Sequence, residues 1–480
     1  MQKTTQYKNV AWAIVWDSEK NRHSYIRDCD IVFSDDRFTY IGPNYPGVAD
    51  TVIEGHDLMI MPGLISIHAH CVHESLEKGV REEHFDTYVG NDLYERMASF
   101  WAEDEGFQAA TKVACCELLT SGVTTVLDMS VPFDGWIDVL AQSGLRCYVA
   151  PDFTSATYQP VSNQELGFKW QEDEGKADFA KALKIVKEVD MHPSGRLMGV
   201  ISPAQIDNCT EQLLRESYEI AQETNRIFTI HAAQLPMEFK VIVERTGKTP
   251  IQWANEIGIL GPSTIIAHAI YIDDHSTIDW DGSEDLQILA SSGASIAHCP
   301  TGFARWGVTL ESFTTYKNAG INIGVGTDNA PHNILEEMRS AIIAARYAGD
   351  LLPSTSSEDL LNAATISGAK ALGREDLGKL AIDMKADFIT VDLNEPSMRP
   401  VWDPLLSLIY HAADRAVKDV YVDGVRVVEN GKPLTFDYPD ALTRLENAQQ
   451  EMLRKVKDND YLGRSIHEMI PPSLPFEKVD

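Results

Sequence analysis

The chain has 480 residues, of which 44% are hydrophobic and 24% charged, and 72 acidic against 41 basic side chains give a formal net charge of −31. That length exceeds one ordinary core and suits a large unit beside a smaller one, both with globular composition. The acidic balance excludes a basic nucleic-acid face, and no run approaches the roughly 18 apolar residues of a membrane-spanning helix. A neutral or cationic small molecule is therefore the expected partner, since anions are repelled at long range. Seven cysteines, without disulfide-like or metal-like spacing, suit a reducing compartment. The first residues carry no basic-then-apolar leader pattern, so the expected location is cytoplasmic.

In chain order, residues 1–61 read as short strands and turns. Asp30-Ile-Val-Phe33 and Phe38-Thr-Tyr-Ile41 flank a polar Ser34-Asp-Asp-Arg37 turn, which predicts a hairpin. From residue 62 strands alternate with helices, the pattern of parallel βα units. Eight apolar runs carry it: residues 64–67, 123–127, 145–149, 197–201, 227–230, 264–267, 294–297 and 321–325. A helix is predicted over 105–121, stopped by Gly122, and two more follow the eighth run at about 335–347 and 356–372. Residues 378–433 return to strands, with a turn at Val422-Asp-Gly-Val425. The tail, 434–480, is helical and charged over 439–458 and extended at Pro471-Pro-Ser-Leu-Pro475.

The first apolar run ends in chemistry: Pro62-Gly-Leu-Ile-Ser-Ile-His-Ala-His70. Side chains alternate along a strand, so His68 and His70 project from one face and suit one first-row divalent ion. Three later runs also end in metal-binding types: Arg226-Ile-Phe-Thr-Ile-His231, Thr264-Ile-Ile-Ala-His268 and Ile321-Asn-Ile-Gly-Val-Gly-Thr-Asp328. In a parallel barrel the C-terminal strand ends build the active site together. The predicted metal ligands are His68, His70, His231 and Asp328, with His268 a ligand or immediately behind them. Three imidazoles and a carboxylate suit one Zn²⁺, with Fe²⁺, Co²⁺ or Mn²⁺ able to substitute.

These motifs, together with Ala297-His-Cys-Pro300, Gly326-Thr-Asp-Asn329, Lys385-Ala-Asp-Phe-Ile-Thr-Val-Asp392 and Val420-Tyr-Val-Asp-Gly-Val-Arg-Val-Val428, run through nearly the whole chain. The chain resembles the amidohydrolase superfamily, in its branch of triazine hydrolases and adenosine- and cytosine-type deaminases. The resemblance implies an α/β fold, a (β/α)8 TIM barrel over residues 62–377 beside a small β-sandwich formed from both chain termini, 1–61 and 378–433. It also implies a single metal on His68, His70, His231 and Asp328, and a homodimer or homotetramer. No lysine ends the fourth strand (Gly199-Val-Ile-Ser-Pro203), where binuclear relatives carry a carboxylated one.

A divalent ion lowers the pKa of a coordinated water to about 7. Asp328 is then the expected proton acceptor and relay, and His268 the group that orients water or polarises the reacting bond. The sequence departs from the deaminase pattern at Gln234, three residues past His231, where those relatives carry a proton-shuttling glutamate. An amide positions by hydrogen bonds but transfers no proton. Hydrolysis of an amide, urea or carbamate is therefore preferred, with deamination or dehalogenation of an N-heterocycle as the alternative and a non-catalytic barrel as a remote third. Expected substrate contacts are His73, Gln234, Phe303, Trp306, Asn329 and His332. Arg305 joins the aromatic pair, and Tyr88, Tyr94 and Trp101 are further aromatic candidates. Glu238 is the nearest carboxylate in sequence to Gln234.

Overall fold

The computed structural model describes residues 3–80, 91–162, 165–349 and 355–477. Its first strands, β1 (Thr4–Asp17), β2 (Arg22–Ser34), β3 (Arg37–Gly42), β4 (Thr51–Glu54) and β5 (Leu58–Pro62), include the predicted hairpin, which pairs Phe33 with Phe38. The long β1 shifts register between Tyr7 and Val10. Its first half pairs with β4 and its second with β5, both in parallel.

The eight runs then form a ring. They are β6 (Leu64–Ala69), β7 (Val123–Ser130), β8 (Arg146–Phe153), a broken fourth strand, β13 (Phe228–Ala232), β14 (Thr264–His268), β15 (Ser295–His298) and β16 (Asn322–Val325). A hairpin, β9 (Ala156–Ser162) and β10 (Glu165–Trp170), follows β8, and the sequence pattern does not predict it. The fourth strand is split into β11 (Leu197–Gly199) and β12 (Ser202–Pro203), and Pro203 has no N–H to extend a ladder. Neighbouring strands pair in parallel from β6 to β12 and from β13 to β16. Bridges at Ile201–Phe228 and Gln205–His231 join the two arcs, and a bridge at Ala69–Asp328 closes the circle. Alternate residues fill its interior: Ile65, Ile67, Leu127, Met129, Tyr148, Ala150, Val200, Ile265 and Ala297 form one buried cluster. Their neighbours, such as Val126 and Cys147, face the helices. That two-sided burial is why these strands read as continuous apolar runs rather than alternating ones.

The chain returns to the first sheet through β17 (Phe388–Asp392), β18 (Val417–Val422), β19 (Val425–Glu429) and β20 (Lys432–Pro433). The two chain ends share one nine-stranded sheet, in the order β20-β19-β18-β17-β5-β1-β2-β3 with β4 beside β1. Tyr7, Phe33, Phe38, Phe388 and Tyr421 make its aromatic core, with Phe388 and Tyr421 stacked at 4.5 Å. Arg146, on β8, ties this sheet to the ring through Asp387 (3.0 Å) and Asp423 (2.7 Å). The predicted tail helix spans Tyr438–Asn459 and packs on the helix Asp104–Thr120. All seven cysteines are buried and free. Among the described residues no helix is long and apolar enough to cross a membrane.

Candidate metal centre and active site

Ring closure builds the site. The Asp328 N–H donates to His68 O and the His70 N–H donates to Asp328 O, both at 3.0 Å, so the segment just past β16 is fastened between His68, near the end of β6, and His70, just beyond it. A side chain at residue 326 would collide here: a Cβ would stand 2.8 Å from His68 Cβ, His68 O and Cys299 Sγ, which only glycine avoids. Asp328 (φ 55°) and His268 (φ 81°) both hold left-handed backbone, an uncommon conformation for residues with a Cβ and one that clusters at functional sites.

His68, His70, His231 and Asp328 each offer one ligand atom, and these atoms lie within 4.8 Å of one another. Asp328 Oδ1 is 3.2 Å from His68 Nε2 and 3.5 Å from His70 Nε2. Two of the rings are held from behind. His70 Nδ1 donates to the Met129 carbonyl, and His231 Nδ1 donates to the Ala204 carbonyl at 2.6 Å. With Nδ1 protonated, each neutral ring turns a bare Nε2 lone pair inward, the tautomer of a metal ligand. Those two Nε2 atoms stand only 3.1 Å apart, and facing lone pairs at that distance repel unless a cation shares them. His68 is fully buried, its Nδ1 has no hydrogen-bond partner among the described residues, and its Nε2 faces only the Asp328 carboxylate. The donor set therefore fits a divalent ion.

Electrostatics agree. Burial, then the neighbouring imidazoles, hold His231 well below the ordinary histidine range, and burial lowers His68. Burial alone would raise the Asp328 carboxyl, but the hydrogen bond with His68 and the surrounding imidazoles hold it well below its usual range. The carboxylate is further fixed by Asn329, whose Nδ2 donates to Oδ2 at 3.2 Å.

His268 lies outside the four-atom cluster. Its ring stacks on His231 at 5.4 Å and meets Phe303 edge-on at 4.8 Å, and burial lowers its pKa to about 3. Phe303, Trp306, Asn329, Gln234 and His73 all line a cavity that opens on His70, His231 and Asp328. His332 does not. It is buried beneath the loop, with Nδ1 3.2 Å from Thr327 Oγ1 and its backbone N–H donating to Glu117, apart from the cavity that the expected substrate contact requires. Arg305 points away to the Ala330 carbonyl (3.2 Å). Glu238 accepts the backbone N–H groups of Ala233 (2.6 Å) and Gln234 (2.9 Å), so it braces the loop after β13. Gln234 Oε1 accepts from Gln205 Nε2 at 2.6 Å. Trp101 lines the cavity, Tyr94 packs on Tyr158, and Tyr88 lies outside the described residues.

Several contributors were missed by sequence reasoning. The Met129 and Ala204 carbonyls act through backbone and leave no side-chain signal. Asp128 accepts from the Cys71 N–H (3.0 Å), Ser130 Oγ (2.6 Å) and Trp136 Nε1 (3.2 Å), and so braces the turn that follows His70. Asp152, at the end of β8, also reaches the cavity. Strand parity signals it, because Ala150 and Tyr148 face the ring interior two and four residues earlier.

The family model described as the amidohydrolase family matches residues 59–427. The chain belongs to the amidohydrolase family. It is 26% identical over 436 residues to a 5'-deoxyadenosine deaminase of Methanosarcina mazei, covering 90% of this chain and 95% of that one. It is 29% identical over 399 residues to a 5-methylthioadenosine/S-adenosylhomocysteine deaminase of Thermococcus kodakarensis, covering 82% and 88%. Among solved structures, an adenosine deaminase from Xanthomonas campestris with bound zinc superposes with a TM-score of 0.79 at 19% identity, covering 94% of this chain and 98% of that one. An atrazine chlorohydrolase from Arthrobacter aurescens complexed with zinc gives 0.77 at 21%, covering 93% and 100%. These likenesses confirm the barrel-type α/β fold. This amidohydrolase is a divalent-metal enzyme that hydrolyses carbon–nitrogen bonds.

Proposed function

We propose that this amidohydrolase holds one Zn²⁺ on His68, His70, His231 and Asp328 and cleaves the carbon–nitrogen bond of a small amide-, urea- or carbamate-type substrate. The ion supplies Lewis acidity and an activated water. Asp328, ionised at neutral pH, takes a proton and passes it to the leaving nitrogen. His268 stays neutral across the physiological range and orients the reacting group from beside Phe303. Phe303 and Trp306 supply an apolar wall for a planar substrate, and His73 and Asn329 stand at the cavity lining.

The observation that supports this substrate type is Gln234. Its amide lines the cavity and is engaged by Gln205, so it orients a substrate without giving it a proton. An acyl carbon needs no ring-nitrogen acid. The relatives favour a second reading, removal of an amino group from an N-heterocycle, because they are named as deaminases of adenosine-type compounds. The same reading takes residues 62–377 as the barrel, and the aromatic core around Phe388 supports a sandwich-like folding of the two-ended sheet.

A panel of acyl amides, ureas, aminopyrimidines and triazines, assayed for ammonia and amine release with zinc-loaded protein, separates the two. The acyl compounds should turn over at least tenfold faster. In Gln234→Glu the heterocycles should gain and the acyl compounds should not. Efficient deamination of heterocycles by the unaltered enzyme would replace the first reading with the second.

A further inference from the structure

Asp152 is a carboxylate that nothing in the proposed chemistry uses. It stands on the third strand of the ring, where Ala150 and Tyr148 point into the barrel interior two and four residues before it. Strand parity therefore aims Asp152 inward at the end where the site is built. It lines the active-site cavity together with Trp101 and Met97, and it also lines the adjoining cavity beside the β9–β10 hairpin. Among the described residues no side chain donates a hydrogen bond to it and no cation pairs with it. Asp178 and Asp128, both negative, push its pKa up, and Lys181, which lines the adjoining cavity, forms no ion pair with it. The guanidinium in the same cavity, Arg96, is already engaged by Glu77.

A carboxylate left without a counter-ion in a half-buried cavity is costly, and a cationic ligand removes that cost by pairing with it. The aromatic rings of Phe100 and Trp101 line the same cavity, and an aromatic face attracts a positive charge; the Trp306 ring already has the Arg96 guanidinium over it at 5.9 Å. We infer that Asp152 is a specificity-determining residue that binds a cationic nitrogen group (ammonium, amidinium or guanidinium) carried by the substrate, at a place apart from the bond that is cleaved. The inference rests on the hydrolase reading above and narrows its substrate class. Burial, then Asp178 and Asp128, push the Asp152 carboxyl up to about 7, so it is ionised in mildly alkaline buffer.

The test is equilibrium binding of benzylammonium and its neutral isostere benzyl alcohol to the zinc-loaded full chain at pH 8. Neither probe has a hydrolysable carbonyl, so binding is read without turnover. The unaltered protein should bind benzylammonium at least tenfold tighter. Asp152→Asn should bring the two within about twofold while benzyl alcohol affinity and zinc content stay unchanged, and Asp152→Glu should restore part of the preference. Equal affinities in the unaltered protein, failure of both probes to bind, or a preference that survives Asp152→Asn would each overturn the assignment. Loss of the preference in Asp152→Asn without hydrolysis of any compound in the substrate panel would instead sink the hydrolase reading and leave the cation site standing.

Discussion

Two imidazole nitrogens 3.1 Å apart, each with its other nitrogen hydrogen-bonded to a backbone carbonyl, carry the metal assignment at the level of single residues. His70 and His231 come from strands far apart in the chain, and the carbonyls of Met129 and Ala204 fix which nitrogen of each ring is bare. His231→Ala removes one donor and one of the paired lone pairs. The expected outcome is loss of stoichiometric metal after desalting, measured by elemental analysis, and a fall in turnover of at least a thousandfold. Retention of both would exclude His231 from the set. The residue scale also shows where local pattern stops being informative. His73 and Asn329 line the cavity, whereas His332, three residues beyond Asn329, turns inward to Thr327. A loop residue has no period to follow, so its direction is set by what packs around it.

Among elements, the joint between ring and terminal sheet depends on one buried cation. Arg146 opens β8, is 2% exposed, and bonds Asp387 through both Nε and an Nη (3.2 and 3.0 Å) while also reaching Asp423. Removing one partner of such a pair leaves a buried charge uncompensated. Arg146→Met should therefore cost about 3–5 kcal/mol in denaturant unfolding, and Arg146→Met combined with Asp387→Leu should recover most of it. An unchanged midpoint in the single variant would show that the joint holds without this pair. The tail helix Tyr438–Asn459 plays a comparable part at the other end: Gln449 Nε2 donates to the Leu76 and Lys78 carbonyls (2.7 and 2.9 Å), in the segment that follows His73. Residues far from the metal in sequence thus hold the cavity wall in place.

For the molecule as a whole, charge and burial combine into a pH dependence. Glu238 and Glu337 are buried, and burial pushes each carboxyl up to about 8. Asp285 rises to about 7 for the same reason. In the unfolded chain these groups bind protons only near pH 4, so between pH 6.5 and 8.5 the folded state holds more protons and stability falls as pH rises. Each glutamate contributes on the order of 2 kcal/mol across that interval at most. Below pH 6.5 buried histidines act in the opposite sense. His23, His73 and His298 are lowered by burial to about 4, so the unfolded chain takes up their protons first and the gain on acidification levels off. Metal-free protein should thus melt several degrees higher at pH 6.5 than at pH 8.5, as read by thermal unfolding after chelation. A higher melting temperature at 8.5 would contradict the buried-carboxyl account. The net charge of −31 works in the same direction, since added protons relieve self-repulsion.

The eight ring strands and the residues His68, His70, His231 and Asp328 were all readable in one dimension, because a strand buried on both faces is a local apolar run and its terminal polar residue stands out against it. The amide at Gln234 was equally plain, since residue type alone decides whether a group transfers protons. What no local pattern held was direction and company. The closing bridge between Ala69 and Asp328, the carbonyls behind His70 and His231, the burial of His332, the β9–β10 hairpin and the unpaired Asp152 all arise from contacts between segments remote in sequence. Composition and periodicity record which face of an element is apolar, but not which other element covers it. The candidate ligands therefore came from the chain, and their assembly into one metal-sized cluster came from closure of the ring.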